Sequence, residues 1–384
     1  MMRTVMQGLI RSVASLCLCA AASGQLAHGL GPAPQYKLTI LAPLPGYSNS
    51  DAADVNNAGL VAGVSYAHPA QTRATRWSSG LASGLPTAIS GAASINALGQ
   101  VAGSSVTGSG TQVHAAYYDG SVVHDIHTAA LSPIGNFSVA LSINDSAQIV
   151  GWAAAGGASD RSAILWNAGV PTLLGTLGGN ESAAFALNNS GQVTGFSETP
   201  NQNNRAFRWT DLNSNNSSDA GEMVQLPDLG LSSVGNAIND LGQVAGWVLN
   251  GSFQRQPVVW NTPSAFSLLP LLSGATEGEP FSMNSSGVVV GKSTGGVATL
   301  WQDGQAYNLN NLIQPGSGVT LIGANAINDQ GWIVGECIVP GVSARGFLLV
   351  PIPEPSSALL AAYGLLRLVA GSRRLAAAAH SLVR

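Results

Sequence analysis

The sequence predicts an all-β protein, a seven-bladed β-propeller, and three observations carry that prediction. A short phrase occurs seven times: an apolar residue, Asn, two residues, usually Gly, then a Val-rich run ending in Gly. Its asparagines are Asn56, Asn96, Asn144, Asn188, Asn239, Asn284 and Asn328. Their spacing runs from 40 residues (Asn56 to Asn96) to 51 (Asn188 to Asn239). That is the length of a supersecondary unit that cannot bury its apolar face alone and must stack on its neighbours. Finally, an orphan strand, Tyr36 to Leu41, precedes the first unit, and the last unit stops after its third strand, Arg345 to Val350. Pairing the two would complete a seventh four-stranded blade and leave no open edge. An open β-solenoid is the alternative that the repeats alone allow.

The composition suits many short strands and tight turns. Charged residues are 9% of the chain, Gly numbers 47, and Lys occurs only at Lys37 and Lys292. A net charge of −4 with no Lys/Arg cluster in the body excludes a nucleic-acid footprint.

Residues 1–24 read as a secretory signal peptide. Arg3 and Arg11 supply the positive region, Ser12 to Ala22 the apolar core, and Ala22-Ser23-Gly24 the small residues at the cleavage site. The apolar run is about half the ~20 residues a membrane-spanning helix needs. Cys17 and Cys19 each follow Leu rather than a small residue, which argues against a lipoprotein site. Residues 25–35 form a linker. Once the signal is removed Cys337 is the only cysteine, so the exported body has no internal disulfide and stands on packing.

Within residues 36–350 each unit has the same parts. A short strand ends at the Asn, as in Asn236-Ala237-Ile238-Asn239. Three turn residues with Gly last fit a type I turn closed by a left-handed residue, and the Asn side chain can bond its own downstream backbone. Gly fills that slot except in the third unit, which has Ala147. The Asp residues after the Asn, Asp145, Asp240 and Asp329, are therefore turn residues rather than catalytic acids. The second strand ends in Gly, as in Gln243-Val244-Ala245-Gly246. The third carries a small residue three before an aromatic: Ala74/Trp77, Ala115/Tyr118, Ala163/Trp166, Ala206/Trp209 and Ala298/Trp301. A Leu- and Pro-rich fourth segment follows, such as Leu226-Pro227-Asp228-Leu229-Gly230.

Pro353-Glu354-Pro355 is followed by an apolar stretch from Ser356 to Gly371 and then Arg373-Arg374. Residues 351–384 thus resemble the PEP-CTERM sorting signal of exported bacterial proteins, and the basic pair agrees with the positive-inside rule. The resemblance implies an exosortase as processing partner and transient membrane anchoring through a helix at about 356–371. It also implies a destination at the cell envelope or extracellular surface. Arg367, within the apolar stretch, and the ten residues beyond Arg374 depart from the pattern. The body, about Leu41 to Val350, resembles HAF repeats, named for a His-Ala-Phe triplet. The triplet appears here as His114-Ala115-Ala116, Arg205-Ala206-Phe207, Arg73-Ala74-Thr75 and Ser162-Ala163-Ile164, and Leu174-Gly175-Thr176-Leu177-Gly178-Gly179 is a close copy of the linking phrase. This resemblance implies no established chemistry.

Asp211, Asn213, Asn215, Asp219 and Glu222 place oxygen ligands at positions 1, 3, 5, 9 and 12 of a twelve-residue loop, the spacing of a Ca²⁺ site. Asn216 stands where Gly is usual and no amphipathic helix flanks the loop, so a solvated surface loop competes with the Ca²⁺ reading. His124-Asp125-Ile126-His127 suggests metal, but residues three apart on a strand face opposite ways. Asp54 is the only acid in the first-strand slot two before the Asn and is flagged as facing a channel ligand. Trp152 and Trp247 lie off the periodic aromatic pattern: exposed, they would stack on sugars; buried, they would only pack.

No His-Glu-x-x-His motif or phosphate-binding loop is present. No catalytic residue or organic cofactor is therefore expected. The main expectation is an exported, surface-sorted, non-catalytic protein that is structural or associated with extracellular polysaccharide. A carbohydrate- or protein-binding module with a Ca²⁺-stabilised loop is the alternative, and tryptophans clustered on one face would favour it. A polysaccharide-active enzyme is the second alternative, revived if carboxylates meet at the channel mouth.

Overall fold

The computed structural model describes residues 33–353, apart from 68–70, 108–111, 132–133, 156–159 and 343. The expected signal peptide and the chain from Glu354 onward, with Pro355, Arg373, Arg374 and the expected membrane helix, lie outside the described residues. Among the described residues no helix is long and apolar enough to cross a membrane.

The strands form seven four-stranded antiparallel sheets. Blade one comprises Asn49–Val55, Val61–Ala67, Gln71–Ser78 and Leu81–Gly84 in sequence order. Five more blades repeat this order, ending with Gln305–Asn308 in blade six. Blade seven has three strands, Thr320–Ile327, Ile333–Ile338 and Ala344–Pro351, and takes Tyr36–Leu41 as its fourth. First strands of neighbouring blades touch one another, including those of blades seven and one, so they line a central axis. The ring is closed, which excludes the open solenoid.

The seven asparagines explain how the ring is stitched. Each is buried, and its Oδ1 accepts backbone N–H groups two and four residues on, as Asn188 does from Ser190 (3.1 Å) and Gln192 (2.9 Å). Each Nδ2 donates to the backbone carbonyl of the next blade's asparagine. The circle begins Asn56 to Asn96 (2.9 Å) and Asn96 to Asn144 (3.0 Å), and closes with Asn328 to Asn56 (3.0 Å). The short Asn amide carries the acceptor for the turn and the donor for the neighbour on two separate atoms, so it serves both at once. Gly closes the turn at φ +75° in Gly191, and Ala147 takes the same slot at φ +58°.

The Gly that ends each second-strand run has a different cause. All seven first strands carry a β-bulge two to four residues before the asparagine, as between Ala184 and Ala186 in blade four. The bulge drives a first-strand carbonyl against the second strand. A Cβ on Gly63, Gly103, Gly151, Gly195, Gly246, Gly291 or Gly335 would overlap that oxygen.

The third strand fills the space between blades. Ala74, Ala115, Ala163, Ala206 and Ala298 are fully buried, and Trp77, Trp166, Trp209, Trp260 and Trp301 are the largest buried side chains. Three indoles also donate to the link entering their own blade: Trp77 to Ala42 O (2.7 Å), Trp260 to Pro227 O (2.7 Å) and Trp301 to Pro270 O (2.8 Å). The fourth strand differs from the sequence reading. In blade four it is Met223–Gln225, ahead of the Leu-Pro phrase. Leu226 makes one more ladder bond, to Ala206 O, and buries its side chain between blades; Pro227, lacking an N–H, ends the pairing there.

Candidate functional site

The two ends of the channel are chemically different. At the asparagine end a cavity of about 190 Å³ lies on the axis, lined by the asparagines, the apolar residues before them and the residues after them. Asp145, Asp240 and Asp329 stand at its rim as turn residues, as expected. Each carboxylate accepts a neighbouring blade's backbone N–H: Asp145 from Ala97 (2.9 Å), Asp240 from Asn189 (2.8 Å) and Asp329 from Ser285 (2.9 Å). Burial raises the pKa of Asp329, but the Ser285 N–H and the Asn57 amide outweigh it and leave the net shift downward.

Asp54 does not face a channel ligand. Its carboxylate is sealed in the seam of blades one and two, accepting from Ser94 Oγ (2.8 Å), Ile95 N (2.9 Å) and Val55 N (2.8 Å). The slot points toward the next blade's backbone, where Ser94 and Ser282 do the same work toward Ile143 and Ile327.

At the opposite end the first-strand and second-strand residues beyond the bulge form an aromatic arc. Trp152, Phe196 and Trp247 hold the position after the closing Gly in three successive blades. They pack in one cluster with Phe185, Ala183 and Val234. Trp152 and Trp247 are half-buried, between the two outcomes the sequence leaves open. Each lies beneath a guanidinium: Arg161 is 5.7 Å from the Trp152 ring and 4.8 Å from that of Phe196, and Arg255 is 5.1 Å from Trp247. Each guanidinium pairs with a carboxylate from the next blade, Arg161 with Glu181 (2.5 Å) and Arg255 with Glu279 (2.9 Å). The same set of Trp, Arg and Glu thus recurs at the seams of blades three and four and of blades five and six. At the second seam Lys292 joins, 3.5 Å from Glu279 and 5.0 Å from the Phe281 ring. A cleft of about 370 Å³ opens there, lined by Arg255, Glu277, Glu279, Lys292 and the Gly295-Gly296 turn.

Two carboxylates meet where blade seven joins blade one. Burial, then the nearby Glu336, pushes the Asp51 pKa up to about 6, against a hydrogen bond donated by Asn325 Nδ2 (3.1 Å) that lowers it. Burial also raises Glu336, which bonds the Tyr66 hydroxyl. Cys337 is fully buried beside them and its thiol is pushed up to about 12, chiefly by burial. It is an inert core thiol, as its place in an apolar run predicts.

The Asp211–Glu222 loop joins the third and fourth strands of blade four. Asp211 accepts from the backbone of Asn215 (3.3 Å) and Asn216 (2.9 Å). Asn213 and Asn215 donate their amides to Asp219 (2.7 and 2.8 Å), holding its pKa below the ordinary value. Glu222 is buried and accepts from Leu212 N (2.9 Å) and Asp219 N (2.8 Å). Asn216 takes the left-handed conformation at φ +56°. The structure thus brings the five residues into one loop, although among the described residues no three Asp, Glu, His or Cys side chains group as a metal site.

His124 and His127 diverge as expected. His124 meets Asp119 (2.8 Å), while His127 stacks on His114 at 4.3 Å and meets Ser138 Oγ (2.8 Å). Ser138 has a structural role that repeats in later blades: its hydroxyl accepts the Ala115 N–H, as Ser182 accepts from Ala163 and Ser233 from Ala206. The first residue of the triplet reaches an Asp of the link, in His114–Asp125 (2.7 Å) and Arg205–Asp228 (3.0 Å). Sequence reading missed Phe196, Arg161, Arg255 and the carboxylates facing them. Comparing the residue after the closing Gly across the repeats would have found the aromatic run.

No protein-family model and no curated protein matches this chain. Solved structures are similar at low identity. The fucose-recognising lectin of Aleuria aurantia, a six-bladed propeller, is 11% identical at a TM-score of 0.37, over 84% of this chain and 98% of that one. A mutant of AofleA from Arthrobotrys oligospora is 11% identical at 0.36, over 84% and 91%. TolB from Acinetobacter baumannii is 14% identical at 0.39; the match covers 61% of this chain and spans about half of TolB's length, 54%. The reading of the site rests on its own residues.

Proposed function

We propose that this chain is an exported, non-catalytic propeller that binds extracellular polysaccharide through the channel mouth carrying the aromatic arc. One observation carries the reading: the same Trp, Arg and Glu set at two seams of one face, Trp152/Arg161/Glu181 and Trp247/Arg255/Glu279. An indole offers an apolar face to a pyranose ring, and an ion pair beside it offers fixed donors and acceptors to hydroxyls. Two sets on one face suit a repeating polymer, because the second contact forms at high effective concentration. The PEP-CTERM-like segment, with Pro353, Glu354, Pro355, Arg373 and Arg374, would deliver the body to the envelope through an exosortase. The Asp211–Glu222 loop would take up Ca²⁺ by turning the Asn213 and Asn215 carbonyl oxygens toward Asp219.

The test is co-sedimentation of the exported protein with the host's extracellular polysaccharide, with and without Ca²⁺. The wild type is expected to pellet, and Trp152→Ala and Trp247→Ala are each expected to weaken retention by about 3–10-fold. Pelleting that needs Ca²⁺ would support the loop as a metal site. Wild-type protein that stays in the supernatant would overturn the reading. New reducing ends in the supernatant would replace it with a hydrolase built on Asp51 and Glu336.

A further inference from the structure

The hairpin between the second and third strands of blade five copies the asparagine turn with one change. Asn250 Oδ1 accepts from Ser252 N (2.9 Å) and Gln254 N (3.0 Å), and Phe253 N donates to Asn250 O (2.9 Å). The bonding is that of the Asn-x-x-Gly turns on the axis. The slot that Gly takes there is held by Phe253 at φ +59°, and its side chain is 72% exposed. A left-handed conformation is unfavourable for an ordinary L-residue, and an exposed ring gains little packing in return. Phe253 is also the one aromatic among the large apolar side chains exposed in the described residues. Ala147 and Gln202 hold the same slot at φ +58° and +59°, so what sets Phe253 apart is a large apolar ring left in solvent at a strained position.

The hairpin's place supplies the function. Two residues after Phe253, Arg255 lies over Trp247 and lines the cleft between blades five and six. We propose that Phe253 is a sugar-stacking side chain that extends the Trp247 subsite outward along the glycan, and that the sugars it takes are uncharged. The second half follows from the cleft: Arg255 and Lys292 are balanced by Glu277 and Glu279, so it offers donors and acceptors without net charge. A polyanion would leave Glu277 and Glu279 facing like charge. This inference deepens the polysaccharide-binding reading and rests on it.

The strain makes a structural role and a binding role separable. Phe253→Gly removes the left-handed penalty and the ring together, so its melting temperature should rise while its affinity falls. The probe is an array of neutral hexose oligosaccharides and uronate oligosaccharides, read with wild type, Phe253→Gly, Phe253→Trp and Trp247→Ala. Wild type is expected to bind neutral oligosaccharides, Phe253→Gly about 3–10-fold more weakly, and Phe253→Trp as wild type. If Trp247→Ala loses binding and Phe253→Gly keeps it, the Phe253 assignment is overturned and the channel-mouth reading stands. Wild-type binding to uronate chains alone overturns the choice of sugar class. Wild-type protein that binds nothing overturns both readings.

Discussion

Asp51 shows how far a single residue's role depends on which blades meet. In the sequence it is one acid in a strand of small residues. In the fold it lies at the closing seam with Glu336, and burial and that neighbour raise its pKa to about 6. A carboxyl whose folded pKa lies above its unfolded value binds its proton more tightly in the native state. Its ionisation therefore weakens the fold progressively from about pH 4 to about pH 6, and the penalty is full above that. Asp51→Asn keeps an acceptor for Asn325 and removes the charge. It should stabilise the protein by about 1–2 kcal/mol at pH 7, discounted for partial exposure, and change little at pH 4. Urea unfolding at the two pH values checks this, and an equal effect at both would refute the charge argument. Asp54 gives the complementary lesson. Its chemistry was legible, but whether it faced the channel or the seam depended on the bulge beside it.

The strand pair around each asparagine was the most legible element, because its turn obeys local rules. Asn supplies the backbone bond and Gly the left-handed residue, and Ala147 fills the slot at φ +58° as a local violation. The bulge was not legible, since one unpaired residue in a first strand leaves no compositional mark on that strand. Its trace is on the partner, as the Gly that ends the second-strand run. Gly195→Ala should therefore cost about 2–3 kcal/mol, because the overlapped atom is the Ala183 backbone carbonyl and cannot rotate away. Gly91→Ala is the control: nothing lies within 4 Å of its added Cβ, so it should fall within ~0.5 kcal/mol of wild type. Thermal melts of the two variants decide the matter, and equal stability would mean that the bulge relaxes.

At the scale of the whole molecule, ring closure was legible from a missing strand at one end and a spare strand at the other, whereas the aromatic mouth was not. Trp152 and Trp247 stood out singly, but their ion pairs draw on the next blade, and no local signal marks that partnership. Closure itself can be tested. Tyr36–Leu41 pairs with Ala344–Pro351 in unbroken register from Tyr36↔Pro351 to Leu41↔Gly346, and buries Tyr36 and Leu41 against the seam. Deleting residues 36–41 would leave the third strand of blade seven as a bare, apolar edge. The seam beneath it would still carry the Asn328-to-Asn56 bond that completes the asparagine circle. The shortened chain is expected to melt at a lower temperature and to associate as its concentration rises, because an unpaired edge recruits a second copy. Light scattering across a concentration series, run beside thermal melts, reads both effects. A monomer with the wild-type melting temperature would show that the inner circle of asparagines holds the ring without its outer latch.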